Sequence, residues 1–215
     1  MSVKLISITK SNVEGIDSAE GLITYVARVS NPTNQMNEES APKLLKYLIK
    51  NKHWSPFELV HMTVEINTSR AIAQQILRHR SFSFQEFSQR YSTASSFVHY
   101  KARRQDVKNR QNSIDDMDID AKVWFDDAQK NVQDVCNVLY ERALRRGIAK
   151  EQARFLLPLS TATTLYMSGS IRSWIHYIQL RTEAGTQLEH RDIANQIEEI
   201  LAANFPNIAE ALNGN

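Results

Sequence analysis

The sequence contains a single cysteine, Cys136, among its 215 residues. One cysteine excludes an internal disulfide framework and is typical of proteins in a reducing compartment. Long hydrophobic runs are also missing, since no segment approaches the ~20 apolar residues of a membrane span and residues 1–10 lack the apolar core of a signal peptide. We therefore expect a cytoplasmic protein without a membrane partner, located in the host cytoplasm if the source is viral.

Charge of one sign is not in excess either. The chain has 26 Lys and Arg residues against 24 Asp and Glu residues, a net charge of only +2. A dedicated nucleic-acid-binding domain normally carries a clear basic excess, so this balance argues against that class of partner. The length of 215 residues and the hydrophobic content of 42% are ordinary for one soluble domain with a sizeable core.

Hydrophobic periodicity predicts helices combined with a smaller number of strands. The predicted elements are strands at residues 3–9, 59–66 and 161–167, and helices at residues 18–28, 39–51, 121–146, 171–180 and 188–205. Ser168 or Ser170 is the expected N-cap of the helix at residues 171–180. Residues 101–120, basic at first and then acidic, show no apolar periodicity, so we interpret them as a surface excursion.

The long helix at residues 121–146 is expected to bury an apolar stripe and to end at Gly147. The stripe consists of Ala121, Trp124, Phe125, Ala128, Val132, Val135, Cys136, Leu139 and Ala143. A thiol in the middle of such a stripe should be poorly reactive. The chain therefore lacks an obvious thiolate nucleophile.

The most informative stretch is Arg78-His79-Arg80, followed after seven residues by Ser88-x-Arg90. A short helix capped by Thr68-Ser69 is expected to end on the Arg-His-Arg motif, with positive side chains that can hold an anion. Cationic residues in a last helical turn also complement the helix dipole, which is the ordinary alternative for this motif. The following segment alternates phenylalanines with polar residues, which supplies serine, glutamine and arginine donors for a phosphate together with one carboxylate, Glu86.

This pattern resembles the signature of the flavin-dependent thymidylate synthases, and the similarity extends over nearly the whole chain. Further matching segments are His53-x-Ser55-Pro56-Phe57-Glu58, Ala153-Arg154, Leu157-Pro158-Leu159, Arg172-Ser173 and Leu180-Arg181. The resemblance implies an α+β fold with helices packed on a mostly antiparallel sheet. No G-x-G-x-x-G motif occurs in the sequence, which agrees with a family that does not hold its flavin on a Rossmann unit.

The resemblance also implies the site residues. The positions that match dUMP-binding positions are Gln75, Arg78, Glu86, Phe87, Ser88, Gln89, Arg90, Arg154 and Arg181. The positions that match FAD-binding positions are Ser55, Arg78, His79, Arg80, Glu86, Ser170, Arg172 and His176. His53 matches the loop on the flavin and folate side of the pocket. Arg181 matches the arginine credited with activation of the pyrimidine, and is the predicted catalytic residue.

The activity that the resemblance implies is reductive methylation of dUMP to dTMP without a cysteine nucleophile. Its cofactor would be FAD, and its co-substrates NADPH and 5,10-methylenetetrahydrofolate. The same resemblance implies one catalytic domain over residues 1–215, a homotetramer with active sites shared between subunits, and no metal site or nucleic-acid partner.

Two other classes of function stay open at this point. A nucleic-acid-binding protein would use residues 78–90 and the basic residues 101–110. A flavoprotein that reduces another nucleotide is the second alternative. Several residues also have structural interpretations: His53 as a surface histidine, Arg154 as a partner of a helix dipole, and Arg181 as a partner of Glu183.

Overall fold

A four-stranded antiparallel sheet forms the centre of the fold, and Glu86 and Ser170 are the predicted site residues that lie in its strands. The computed structural model describes residues 1–94 and 96–213. Its sheet consists of β1 (Ser2–Ile8), β2 (His61–Ser69), β3 (Ser83–Glu86) and β6 (Ala162–Ser170), in the order β1-β2-β6-β3. A separate hairpin is formed by β4 (Arg104–Gln105) and β5 (Ser113–Ile114) within the predicted surface excursion.

Helices surround this sheet, and the fold class is α+β as predicted. They are α1 (Ala19–Ala27), α2 (Ala41–Lys50), α3 (Arg70–Ile76), α4 (Ile119–Arg145), α5 (Lys150–Ala153), α6 (Ile171–Arg181), α7 (Leu188–Asn204) and α8 (Pro206–Asn213). Short 3₁₀ turns lie at Pro32–Asn34, Ser55–Glu58 and Arg154–Leu156. In the described residues 1–94 and 96–213, no helix is long and apolar enough to cross a membrane.

Polar caps set the starts of the helices that lead into the site. Ser69 accepts a hydrogen bond from Ile72 N at the start of α3, and Ser170 accepts one from Ser173 N at the start of α6. Each serine is also the last residue of a strand, so β2 continues directly into α3 and β6 into α6. The structure thus selects Ser170 over Ser168 as the N-cap. Because β2 and β6 are neighbours in the sheet, α3 and α6 begin at opposite ends of one antiparallel pair.

The predicted buried stripe of α4 is wrong for the single chain. Trp124 is 69% exposed, Val135 is 59% exposed and Leu139 is 44% exposed. Of the nine predicted residues only Ala143 is buried, and the other buried residues of α4, Gln133 and Tyr140, lie outside the stripe. The periodicity identified an apolar face, but four of its residues, Trp124, Val132, Val135 and Leu139, are exposed, and Ala121, Phe125, Ala128 and Cys136 are only partly covered.

An aromatic cluster packs beneath α6. The Phe82 ring lies edge-on to Trp174, with centroids 4.6 Å apart, and Trp174 Nε1 donates a hydrogen bond to Met62 O. Gly169 on β6 makes this approach possible, because a Cβ at that position would lie 2.5 Å from the Phe82 ring. Phe82 follows the Arg-His-Arg motif closely, so this packing anchors the motif to the core.

A second buried group joins α6 to α7. His190 is fully buried, and its Nε2 lies 3.0 Å from the Tyr177 hydroxyl. Burial, together with the charge of Arg181 and with His79, lowers the pKa of His190 to about 3. His190 is therefore neutral at physiological pH. Its ring and that of Tyr177 both pack edge-on against the ring of His79.

Gly169→Ala should lower the free energy of unfolding by about 1–3 kcal/mol, because the added methyl group overlaps the Phe82 ring. Chemical denaturation of the variant and the wild type would measure the difference. Gly185→Ala is the matched control, since a Cβ there has no heavy atom within 4 Å. Equal losses of stability in the two variants would contradict this account of Gly169.

The stability of the protein should fall as the pH is lowered below about 6.5, the ordinary histidine pKa. The unfolded chain takes up a proton at His190 in this range, whereas the folded chain does so only near its lowered pKa of about 3. Each proton bound only by the unfolded state changes the unfolding free energy by about 1.4 kcal/mol per pH unit. His190→Gln does not titrate and can still bond Tyr177, so its stability should decline less steeply. Urea denaturation at a series of pH values measures the unfolding free energy of both proteins. An equal decline with pH in the wild type and in His190→Gln would contradict this account.

Candidate active site

The Arg-His-Arg motif lies just beyond α3. The helix ends at Ile76 with Leu77 as its C-cap. The prediction that the motif forms the end of this helix is therefore wrong, because the motif occupies the turn after it. The backbone N–H groups of Arg78 and His79 still bond to Gln75 O and Ile76 O. As a result Arg78 and Arg80 are exposed, whereas the His79 ring packs edge-on against the buried Tyr177, 4.8 Å between centroids.

The largest cavity at this place has a volume of about 720 Å³. Its lining residues are Ala71, Gln74, Gln75, Arg78, Arg80, Leu159 and Arg181. Four of these residues are predicted to bind dUMP or FAD. Three of the lining residues are arginines, and none is an aspartate or a glutamate. A cavity with this donor set fits an anion such as a nucleotide phosphate.

Arg181, the predicted catalytic residue, is the last residue of α6. Its Nε donates a hydrogen bond of 2.8 Å to His79 Nε2, and not to Glu183 as the structural interpretation proposed. Burial, followed by the charges of Arg181 and His176, lowers the pKa of His79 to about 4. A neutral His79 can accept this bond, so the ring orients Arg181 and leaves its two Nη groups as donors toward the cavity.

A second cavity of about 280 Å³ lies at the N-terminus of α6. Ser170 and Arg172, both predicted FAD residues, line it together with Glu58. The Ser170 hydroxyl donates a hydrogen bond to Glu58, whose carboxylate lies 3.7 Å from Arg172 Nε. A helix N-terminus with an arginine in its first turn suits a phosphate, so these residues fit the diphosphate of a dinucleotide such as FAD.

A third cavity of about 260 Å³ adjoins the first, because Gln74 and Leu159 line both. Gln89 and Arg154, two predicted dUMP residues, lie here beside Arg70. Gln89 is only 7% exposed, and its Nε2 has no hydrogen-bond partner in residues 1–94 and 96–213. A buried amide donor without a partner is costly, so the cavity fits a ligand that supplies an acceptor.

Other predicted dUMP residues are occupied by partners within the chain. Glu86 accepts hydrogen bonds from Arg70 and from Thr163, the latter at 3.0 Å. Arg90 pairs with Glu151 at 3.1 Å, on the surface. Arg154 also contacts Glu151, because its Nε donates a hydrogen bond of 3.2 Å to the Glu151 backbone oxygen. Arg90 and Arg154 thus both contact Glu151, and their assignment to dUMP stays a prediction.

The remaining predicted residues line none of these three cavities. Phe87 lies at the edge of a separate cavity of about 510 Å³, and the Ser88 hydroxyl accepts a hydrogen bond from Arg90 N. His53 is exposed and lies edge-on to Tyr47, and Ser55 begins the 3₁₀ turn Ser55–Glu58. His176 is exposed on α6, close enough to His79 to affect its pKa. The roles of these residues stay predictions.

Gln187 and Glu189 contact the site from behind, and neither was predicted as a site residue. Gln75 Nε2 donates a hydrogen bond of 2.7 Å to Gln187 Oε1, across 112 positions of the chain. Gln187 in turn bonds Glu189, which forms a shielded ion pair with Arg103. A glutamine just before a helix carries no sequence signal for such a contact. Only the proximity in the fold reveals it.

Comparison with known proteins gives consistent matches over the full chain. Residues 12–207 match the family model described as thymidylate synthase complementing protein. The chain is 58% identical over 213 residues to a probable flavin-dependent thymidylate synthase of Paramecium bursaria Chlorella virus 1, and the match covers 99% of both chains. It is 57% identical over 216 residues to a flavin-dependent thymidylate synthase of Synechocystis sp., again over 99% of both.

A solved structure shows the same fold. The UMP/dUMP methylase PolB from Streptomyces cacaoi, bound with 5-Br dUMP, superposes with a TM-score of 0.86 at 27% identity, covering 99% of this chain and 94% of that one. This agreement extends the sequence match to the arrangement of the sheet and helices. The chain therefore belongs to the thymidylate synthase complementing protein family, the family of the flavin-dependent thymidylate synthases.

Proposed function

We propose that the protein is a flavin-dependent thymidylate synthase, which methylates dUMP to dTMP as a single catalytic domain over residues 1–215. The observation that carries this proposal is the cavity of about 720 Å³ that brings Gln75, Arg78, Arg80 and Arg181 together. These residues come from α3, the turn after it and the end of α6, and each matches a ligand-binding position of the family. In the proposed reaction 5,10-methylenetetrahydrofolate supplies the carbon and NADPH the reducing equivalents.

The arginines of the cavity bind and orient the nucleotide. Arg78 is free of ion pairs within the described residues and binds the phosphate of dUMP. Arg181, oriented by neutral His79, directs its Nη groups at the pyrimidine and stabilises the negative charge that develops on the ring. The bond to His79 is already formed, so Arg181 does not need to reorganise during the reaction.

FAD is the proposed cofactor, and it supplies hydride transfer when bound. Ser170 and Arg172 hold its diphosphate at the N-terminus of α6, and Glu58 keeps both side chains in place. His79 and Arg80 bind it nearer the main cavity. The only cysteine, Cys136, lies on α4 and lines none of the three cavities described above, which supports a reaction without a thiolate nucleophile.

A simple observation tests this function against the alternatives. The purified protein should be yellow, and denaturation should release a flavin that is identified by chromatography. It should form dTMP from dUMP only when methylenetetrahydrofolate and NADPH are both present. Colourless protein with salt-sensitive binding to DNA or RNA would favour the nucleic-acid alternative, and flavin without dTMP formation would favour a flavoprotein acting on another nucleotide.

Arg181→Ala should reduce dTMP formation by about 10²–10³-fold, because it removes a preorganised donor to the developing charge. The variant should still contain flavin and should still be reduced by NADPH, which anaerobic absorbance measurements would show. Arg191→Ala is the matched control, since within residues 1–94 and 96–213 Arg191 bonds only the backbone oxygen of Ala184, and it lines none of the three cavities. Normal dTMP yield from the Arg181 variant would remove its catalytic role.

We also propose that the active form is a homotetramer with shared active sites. Two observations support this. The apolar face of α4 that includes Trp124, Val135 and Leu139 is exposed in the single chain, and such contiguous faces are typical of interfaces. In addition, Arg90 pairs with Glu151 outside the main cavity of its own chain, where a nucleotide held by a second copy can reach it.

Val135→Glu should dissociate the oligomer and lower dTMP formation together, because it adds a charge to the exposed apolar face of α4. Light scattering after size-exclusion chromatography would measure the mass, and circular dichroism would establish that the fold is kept. Asn137→Asp is the matched control, since it adds a charge about 200° further round the same helix. An unchanged mass for Val135→Glu would remove this face from the interface.

A further inference from the structure

A chain of polar side chains links the β4–β5 hairpin to the main cavity. Arg103, just before β4, forms two hydrogen-bonded contacts with Glu189, with Nη1 at 2.7 Å from Oε1 and Nη2 at 2.9 Å from Oε2. Its Nε donates to Ser113 Oγ at 2.8 Å. Gln187 Nε2 then donates to Glu189 Oε2 at 2.9 Å, and Gln187 Oε1 accepts from Gln75 Nε2 at 2.7 Å.

The charge of Glu189 determines the direction of the two glutamine bonds in this chain, since Arg103 can only donate. Burial by itself would raise the pKa of Glu189, but the bonds from Arg103 and Gln187 outweigh it, and the pKa is lowered. An ionised carboxylate only accepts hydrogen bonds, so Gln187 must turn its NH₂ group toward it. Gln187 then has only its oxygen to offer, and Gln75 must donate.

The position of Gln187 indicates a role beyond helix stability. It is the N-cap residue of α7, where a side chain would ordinarily bond the free N–H groups of the first turn. Its side chain makes no such cap and is used entirely for Glu189 and Gln75. The side chain is also exposed, so its amide does not fill a core position.

We propose that Gln187, held by Glu189 and Arg103, is a positioning residue that sets the amide orientation of Gln75. Gln75 thereby presents its carbonyl oxygen to the cavity as an acceptor for an N–H or O–H donor of the bound nucleotide. This inference rests on the proposed function, because it takes Gln75 as a residue that contacts dUMP. In this proposal the β4–β5 hairpin has a structural role, because Arg103 and Ser113 hold Glu189 in place.

A double-mutant cycle on the FAD-loaded protein tests the proposal. Gln187→Met keeps the side-chain length but has no amide, and should weaken dUMP binding by about 3- to 10-fold in isothermal titration, with unchanged flavin content. Gln75→Met should weaken binding at least as much. If Gln187 acts through Gln75, the double variant should bind no more weakly than Gln75→Met alone.

The outcomes separate the possible failures. Additive losses in the cycle, or unchanged affinity for Gln187→Met, would overturn the positioning role. Gln196→Met is the control, because Gln196 lies on the same helix and accepts a hydrogen bond from Val3 N away from the cavity. It should leave dUMP affinity unchanged, and an equal loss there would also overturn the proposal. Wild-type protein that binds no dUMP would refute the proposed function itself.

Two analogues identify the donor that Gln75 accepts from. N3-methyl dUMP lacks the imide N–H of the base, and 2′,3′-dideoxyuridine 5′-monophosphate lacks the sugar hydroxyl. The penalty of Gln187→Met should disappear for the analogue that lacks the relevant donor and persist for the other. A penalty that persists with both would show that Gln75 does not accept from either group, and would overturn its assignment as the acceptor.

Discussion

The hydrogen bond from Arg181 to His79 is the interaction on which the rest of the site depends. It requires a neutral His79, since a protonated imidazole has no acceptor. Burial is the largest cause of the lowered pKa of His79, about 4, and the rings of Tyr177 and Phe82 supply that burial. The aromatic packing beneath α6 therefore favours the neutral form of His79 and, through it, the orientation of Arg181.

The same helix carries both ends of the site. Ser170 ends β6 and caps α6, and Arg181 is the last of the helix's eleven residues, so about 16 Å separates them along the axis. A rigid helix keeps this separation constant. The cavity at Ser170 and the cavity at Arg181 therefore lie at a spacing that the helix sets.

Local signals predicted the fold well, and long-range contacts escaped prediction. The serine caps and the glycine that ends α4 act within a few residues, so Ser170 and Gly147 were predictable. Periodicity also located the apolar face of α4, but it cannot say what covers that face, and the buried stripe was wrong for the single chain. The bond between Gln75 and Gln187 joins residues 112 positions apart, and no local pattern encodes it.

The charges of the main cavity are out of balance without a ligand. Three arginines line it and no carboxylate does, and Glu86 is bonded to Arg70 and Thr163. Like charges in one cavity repel, and the net charge of only +2 means that this repulsion is local and not a property of the whole surface. An anion bound there removes the repulsion and stabilises the folded state by linkage. The neutral form of His79 is part of this balance, since protonation would place a fourth positive charge beside Arg181 and remove the acceptor that orients it.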